Sequence, residues 1–142
     1  MKTLQNIVLL FCLLPIANCL FAQYDPSKIN KKALSLYSEG LDKAQSGFFK
    51  DAIDLFNQSI NADPKYVDAY LSLAGVYGQM KDYKSSTDNY EKAIALDSNY
   101  TSEYKLPYSI NLAGQGRFDQ ALSAVNSLLS KEKNNARDKT RC

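Results

Sequence analysis

Apolar positions recur along this chain in two nested rhythms. The short rhythm is helical. Ala52, Leu55, Phe56 and Ile60, with the small Ser59 among them, fall at i, i+3, i+4, i+7 and i+8, which lines one side of a helix. Leu122, Val125, Leu128 and Leu129 form a second such stripe. The long rhythm is a period. Phe49 and Tyr83, Phe56 and Tyr90, and Asp63 and Asp97 are each 34 residues apart, and Tyr83 and Phe118 are 35 apart. A fixed period of this size marks stacked units, none of which can bury its apolar side alone.

The pattern predicts an all-α chain of six helices in three hairpins. The pairs are 32–45 with 50–61, 67–79 with 82–96, and 102–114 with 119–130. Gly47 and Gly116 fall where a tight turn between helices needs positive φ, and Lys81 holds that place in the middle copy. Asp63-Pro64 stops one helix and opens the next segment. Pro107 conflicts with its predicted helix. An interior proline removes a backbone bond and clashes with the preceding turn, costing about 3 kcal/mol or more. Either that helix kinks, or it begins near Leu106 with Pro107 in its first turn.

The period, with Gly40, Ala52, Phe56 and Pro64 in the first copy, resembles the tetratricopeptide repeat. Tyr70, Leu73, Ala74, Tyr77, Tyr90 and Ala93 carry the likeness in the second copy, and Gly116, Phe118 and Ala121 in the third. Glu39 and Lys43 depart from it, standing where the pattern has a Leu and a Tyr. The resemblance implies an α-solenoid of three helix-turn-helix units, 33–66, 67–100 and 102–130. It also implies a concave face that grips a peptide or helix from a partner protein. Tyr37, Leu41, Gln45, Leu71, Gln79, Leu106 and Ile110 are the matching groove positions. Some family members hold a C-terminal carboxylate with Lys, Asn and Arg in this groove. Here Tyr37, Leu41 and Ser72 stand at corresponding places, so that mode is not expected.

The two ends read differently. Residues 1–22 combine Lys2, an apolar run from Ile7 to Ala17 and a small residue at Ala22. This is the form of a secretory signal peptide cleaved between Ala22 and Gln23. Ile16-Ala17-Asn18-Cys19 also resembles a bacterial lipobox, with Cys19 as the lipidated residue and Asn18 as a departure; such an anchor would be the chain's one membrane link. Residues 23–32 read as a linker. Residues 131–142 are charged, lack an apolar stripe and read as a disordered tail. The last hairpin then lacks the polar cap that a solenoid needs, which allows a homodimer or a stacked assembly as an alternative to groove binding.

Composition narrows the function. The chain has no His, a net charge of +2 and three Cys. It therefore lacks the commonest general base and metal ligand and has no basic footprint for nucleic acid. It shows no glycine-rich phosphate loop, nucleophile motif or Cys/His cluster. No enzyme activity or cofactor is expected. The Phe21-Ala22-Gln23 ending and the Asn/Lys/Tyr-rich composition resemble exported proteins of the Bacteroidetes group. The resulting expectation is a periplasmic or outer-membrane-associated adaptor or assembly factor.

Overall fold

The computed structural model describes residues 24–139. The signal peptide, Cys19 and the Ala22–Gln23 cleavage point lie outside the described residues. Six α-helices follow in order: α1 (Lys31–Gln45), α2 (Phe49–Ala62), α3 (Val67–Gln79), α4 (Tyr83–Leu96), α5 (Lys105–Gly114) and α6 (Phe118–Lys139). Short 3-10 helices at Pro26–Lys28 and Tyr100–Tyr104 precede α1 and α5. No strand occurs among the described residues. Each hairpin packs on the next, with α2 against both α1 and α3, and α4 against both α3 and α5. The result is the helical solenoid that the period predicts.

The turns explain the hairpins. Gly47 and Gly116 have φ of +80° and +78°, and Lys81 takes the same left-handed conformation at 62°. Asp82 caps α4 through Ser85 N–H at 3.1 Å, and Asn30 caps α1 through Lys32 N–H at 2.8 Å. At Gly40 two helices pack too closely for a larger residue. A Cβ there would lie 2.7 Å from Phe56 Cε1, so α2 seats its ring in the gap left by the glycine. Phe56 is fully buried, among Ala52, Leu73 and Val76. A second cluster joins Val67, Leu71, Ala74, Tyr90 and Ala93.

Serine replaces alanine at two tight crossings without leaving a buried polar atom unpaired. Ser59 Oγ donates to the Ala33 carbonyl at 2.7 Å, and Ser86 Oγ to the Ala74 carbonyl at 2.8 Å.

Three boundaries differ from the sequence reading. The helix expected over 102–114 starts at Lys105, behind the 3-10 helix. Pro107 thus lies in its first turn, where backbone N–H groups have no partner within the helix and a proline removes nothing. Tyr100 still lies 34 residues after Tyr66, so the third copy's extra residue is absorbed after it, near the change from 3-10 to α helix. The second correction is the tail: α6 continues to Lys139 instead of ending near Ser130. Residues 131–139 contain neither Gly nor Pro, so nothing in them stops a helix already begun. The third is the supposed linker, where residues 24–30 are docked against the repeats.

Candidate partner-binding groove

The first helices of the hairpins, α1, α3 and α5, carry the positions that the resemblance assigns to a concave groove. Tyr37 lies on its first stretch. Its hydroxyl is 3.2 Å from Ser72 Oγ, which ties α1 to α3. Its ring packs on Phe56 and Tyr66 at centroid distances of 5.7 and 4.9 Å. Burial raises the Tyr37 phenol pKa above the usual tyrosine value, against the pull of the Ser72 hydrogen bond. Leu41 is half-buried against the Phe56 cluster, while Gln45 and Gln79 are exposed.

The remaining predicted groove residues separate. Leu71 is only 4% exposed and belongs to the core around Tyr90, so it does not reach the groove surface. The correction has a simple cause. Leu71 stands one period after Tyr37, and as the second hairpin packs against Tyr37, the third packs against the Leu71 cluster through Tyr108. Leu106 and Ile110 are 50% and 60% exposed on α5.

The structure adds a cluster that the groove reading missed. Asp68, in the first turn of α3, accepts the Tyr24 hydroxyl at 2.7 Å on one oxygen and the Tyr100 hydroxyl at 2.6 Å on the other. The Tyr24 and Tyr100 rings meet edge to face at 4.6 Å. Burial, then the hydrogen bond to Asp68, holds both phenols well above their ordinary pKa. With Tyr37 and Ser72 on one side, this wall is tyrosine-rich and carries the Asp68 carboxylate. It offers acceptors and aromatic area, and its chemistry is opposite to that of a carboxylate clamp.

Tyr24 reaches this place because the segment ahead of α1 is strapped across the repeat edge. Asp63 and Asp97 end consecutive repeats and act alike. One oxygen of each closes its own turn: Asp63 Oδ1 accepts Lys65 N–H at 3.1 Å, and Asp97 Oδ1 accepts Asn99 and Tyr100 N–H at 2.9 Å. The other oxygen holds the strap. Asp63 Oδ2 accepts Asn30 N–H at 3.0 Å, and Asp97 Oδ2 accepts Tyr24 N–H at 2.9 Å. A cleft of about 470 Å³ remains beside the strap, with Val67, Ala95 and Leu96 among its lining residues. Part of this was readable, since Tyr66 and Tyr100 recur at the period of 34. Tyr24 lies outside the repeats and carried no such signal.

Residues 67–100 match the family model described as Tetratricopeptide repeat. Tetratricopeptide repeat protein 16 of Homo sapiens is 30% identical over 98 residues, which is 67% of this chain but 11% of that protein. RNA polymerase II-associated protein 3 of Homo sapiens is 26% identical over 106 residues, covering 75% of this chain and 16% of its own length. Among solved structures, MamA protein superposes with a TM-score of 0.69 at 25% identity, over 75% of this chain and 57% of that one. The second repeat domain of Spaghetti, solved with the HSP90 peptide SRMEEVD, superposes with a TM-score of 0.66 at 21% identity, over 70% and 91%. The middle hairpin thus carries the tetratricopeptide repeat, and the chain folds as a solenoid of that kind.

Proposed function

We propose that this chain is a non-catalytic protein-binding module that holds a peptide or helix of a partner protein along α1, α3 and α5. The observation that carries this reading is the Tyr37–Ser72 contact, where a half-buried aromatic and a hydroxyl join two first helices into one continuous wall. Solved neighbours of the same fold support it, since one holds a peptide. The ligand differs from that acidic peptide. Asp68 repels a free carboxylate, so the groove fits a mainly apolar segment that brings N–H donors or a basic side chain.

The setting we propose is an exported one. The signal-like residues 1–22, with Ala22–Gln23 as the cleavage point or Cys19 as a lipid attachment, support an adaptor or assembly factor of a bacterial envelope complex. Crosslinking of the tagged chain in its native cells, with mass spectrometry of the mature N-terminus and the captured protein, tests both parts. The expected result is a processed N-terminus and one recurrent partner that is lost in Tyr37→Ala while the variant stays helical. Capture that is indifferent to Tyr37→Ala would remove the groove. An intact Met1 on the envelope-free protein would remove the export.

A further inference from the structure

The third repeat ends in an apolar face that the first repeat also possesses, but covered. In the first repeat, Tyr37, Leu41, Ala44, Phe49, Ala52, Ile53, Phe56 and Ile60 pack against Leu73 and Val76 of α3. The residues 69 positions later are Leu106, Ile110, Ala113, Phe118, Ala121, Leu122, Val125 and Leu129. All eight are apolar. Phe118, Leu122 and Leu129 are 68%, 61% and 55% exposed. This is a complete repeat-stacking surface, and no described residue lies over it. Exposed apolar side chains gathered on one face, unlike ones scattered singly, mark an interaction site.

The first repeat also shows what such a surface accepts. Its cover is a helix with apolar residues at i, i+4 and i+7, namely Ala69, Leu73 and Val76 of α3. Two other surfaces of this chain can be compared with that requirement. The outer side of α1 carries Glu39 and Lys43 where the second repeat has Leu73 and Tyr77. Head-to-tail stacking would press those charges onto Phe118 and Leu122, at a desolvation cost that opposes it. The stripe on α6 itself meets the requirement, since Leu122, Val125 and Leu129 are spaced i, i+3 and i+7, and Phe118 extends it by four. Read in reverse order, as an antiparallel helix presents it, the spacing becomes i, i+4 and i+7.

We infer that this face binds a second copy of the chain, α6 against α6 in antiparallel, forming a closed two-fold dimer. The inference rests on the stacking surface and takes Leu106 and Ile110 for it, as the counterparts of Tyr37 and Leu41, leaving the Tyr37–Ser72 and Asp68 stretch to the groove ligand. A two-fold contact uses one patch on both subunits and stops at two. The charged outer side of α1 prevents the same patch from building open chains.

Sedimentation of the full chain over a rising concentration series tests it. The expected result is an equilibrium that ends at the dimer. Leu122→Glu should weaken it about a hundredfold, because each copy would bury an unpaired charge. At a concentration where both chains are monomeric its melting curve should match the wild type, since Leu122 is 61% exposed in the single chain. Leu129→Lys is a second variant with the same expected effect. Leu34→Glu, at a 50% exposed position on α1, should leave the dimer intact. A strict monomer at the highest concentration overturns the inference. Association that grows past two copies, or a dimer indifferent to Leu122→Glu, overturns it equally. A synthetic peptide copying residues 67–79 examines the other occupant. A monomeric chain that takes up this peptide would have a face made for another protein's helix.

Discussion

The backbone N–H of Tyr24 donates to Asp97 Oδ2 at 2.9 Å, joining a residue ahead of the first repeat to the turn that closes the second. Asp97 also accepts the Asn99 and Tyr100 N–H groups, so one carboxylate fixes both a turn and a strap. Asp97→Ala should lower stability by about 1–2 kcal/mol, measured by urea unfolding. The same bonds, Tyr100 N–H first, hold the Asp97 pKa below its ordinary 3.8. Its contribution is therefore complete above that pH and is lost as pH falls through the folded value. The wild-type chain should lose stability more steeply than Asp97→Asn on acidification below pH 3.8. Parallel acid curves for the two would refute the role of the charge.

Phe56 occupies the space over Gly40, and both residues are constrained by that fit. Removing the ring in Phe56→Ala should cost about 3–5 kcal/mol, because the first repeat loses its central side chain. Gly40→Ala places a Cβ against the ring and should cost about 1–3 kcal/mol from overpacking. Thermal melts check both. A silent Phe56→Ala would mean that the ring does not carry this core.

Lys81 has a φ of 62° at the place where Gly47 and Gly116 sit in the flanking hairpins. A side chain in this conformation is strained by about 1 kcal/mol. Lys81→Gly should therefore raise the unfolding free energy by a similar amount, less any loss from the greater flexibility of the unfolded chain. Gly47→Ala and Gly116→Ala should lower it. Chemical denaturation of the three variants gives the comparison, and a destabilised Lys81→Gly would contradict the strain.

Buried phenols give the fold an alkaline limit. Burial raises the Tyr66 pKa above its ordinary 10.0 and pushes Tyr90 up to about 12. Tyr24 and Tyr100 are raised as well, by burial and then by their hydrogen bonds to Asp68. Above pH 10.0 the folded chain keeps protons that the unfolded chain releases. The stabilisation from these groups is thus complete below that pH and falls as pH climbs toward the raised values. Tyrosinate absorbance and helix loss by circular dichroism should rise together in the alkaline range. Full tyrosine ionisation with the helices intact would contradict this burial.

The parts of the fold that repeat were the parts that could be read. Ala52 and Phe56 recur at one period as Ser86 and Tyr90, and again near Ala121 and Val125, so each copy confirms the helical phase of the others. The span 67–79 was placed to the residue because Pro64 precedes it and Lys81 follows. Leu71 and Leu106 mark the limit of what a repeat pattern can encode. They occupy the same place in their repeats, yet Leu71 is buried and Leu106 exposed, because burial depends on what is stacked beyond. The strap was unreadable for another reason. Its bonds to Asp63 and Asp97 are made by backbone N–H groups, which leave no trace in the choice of side chain.

The docked strap also sets how the molecule would be held. Whatever is joined ahead of Tyr24 must set out from beside Asp97, at the turn edge of the second repeat, and not from the outer end of the first. A tether starting there pulls on the flank of the solenoid. Both the tyrosine wall and the open face of α6 would then stay within reach of other molecules.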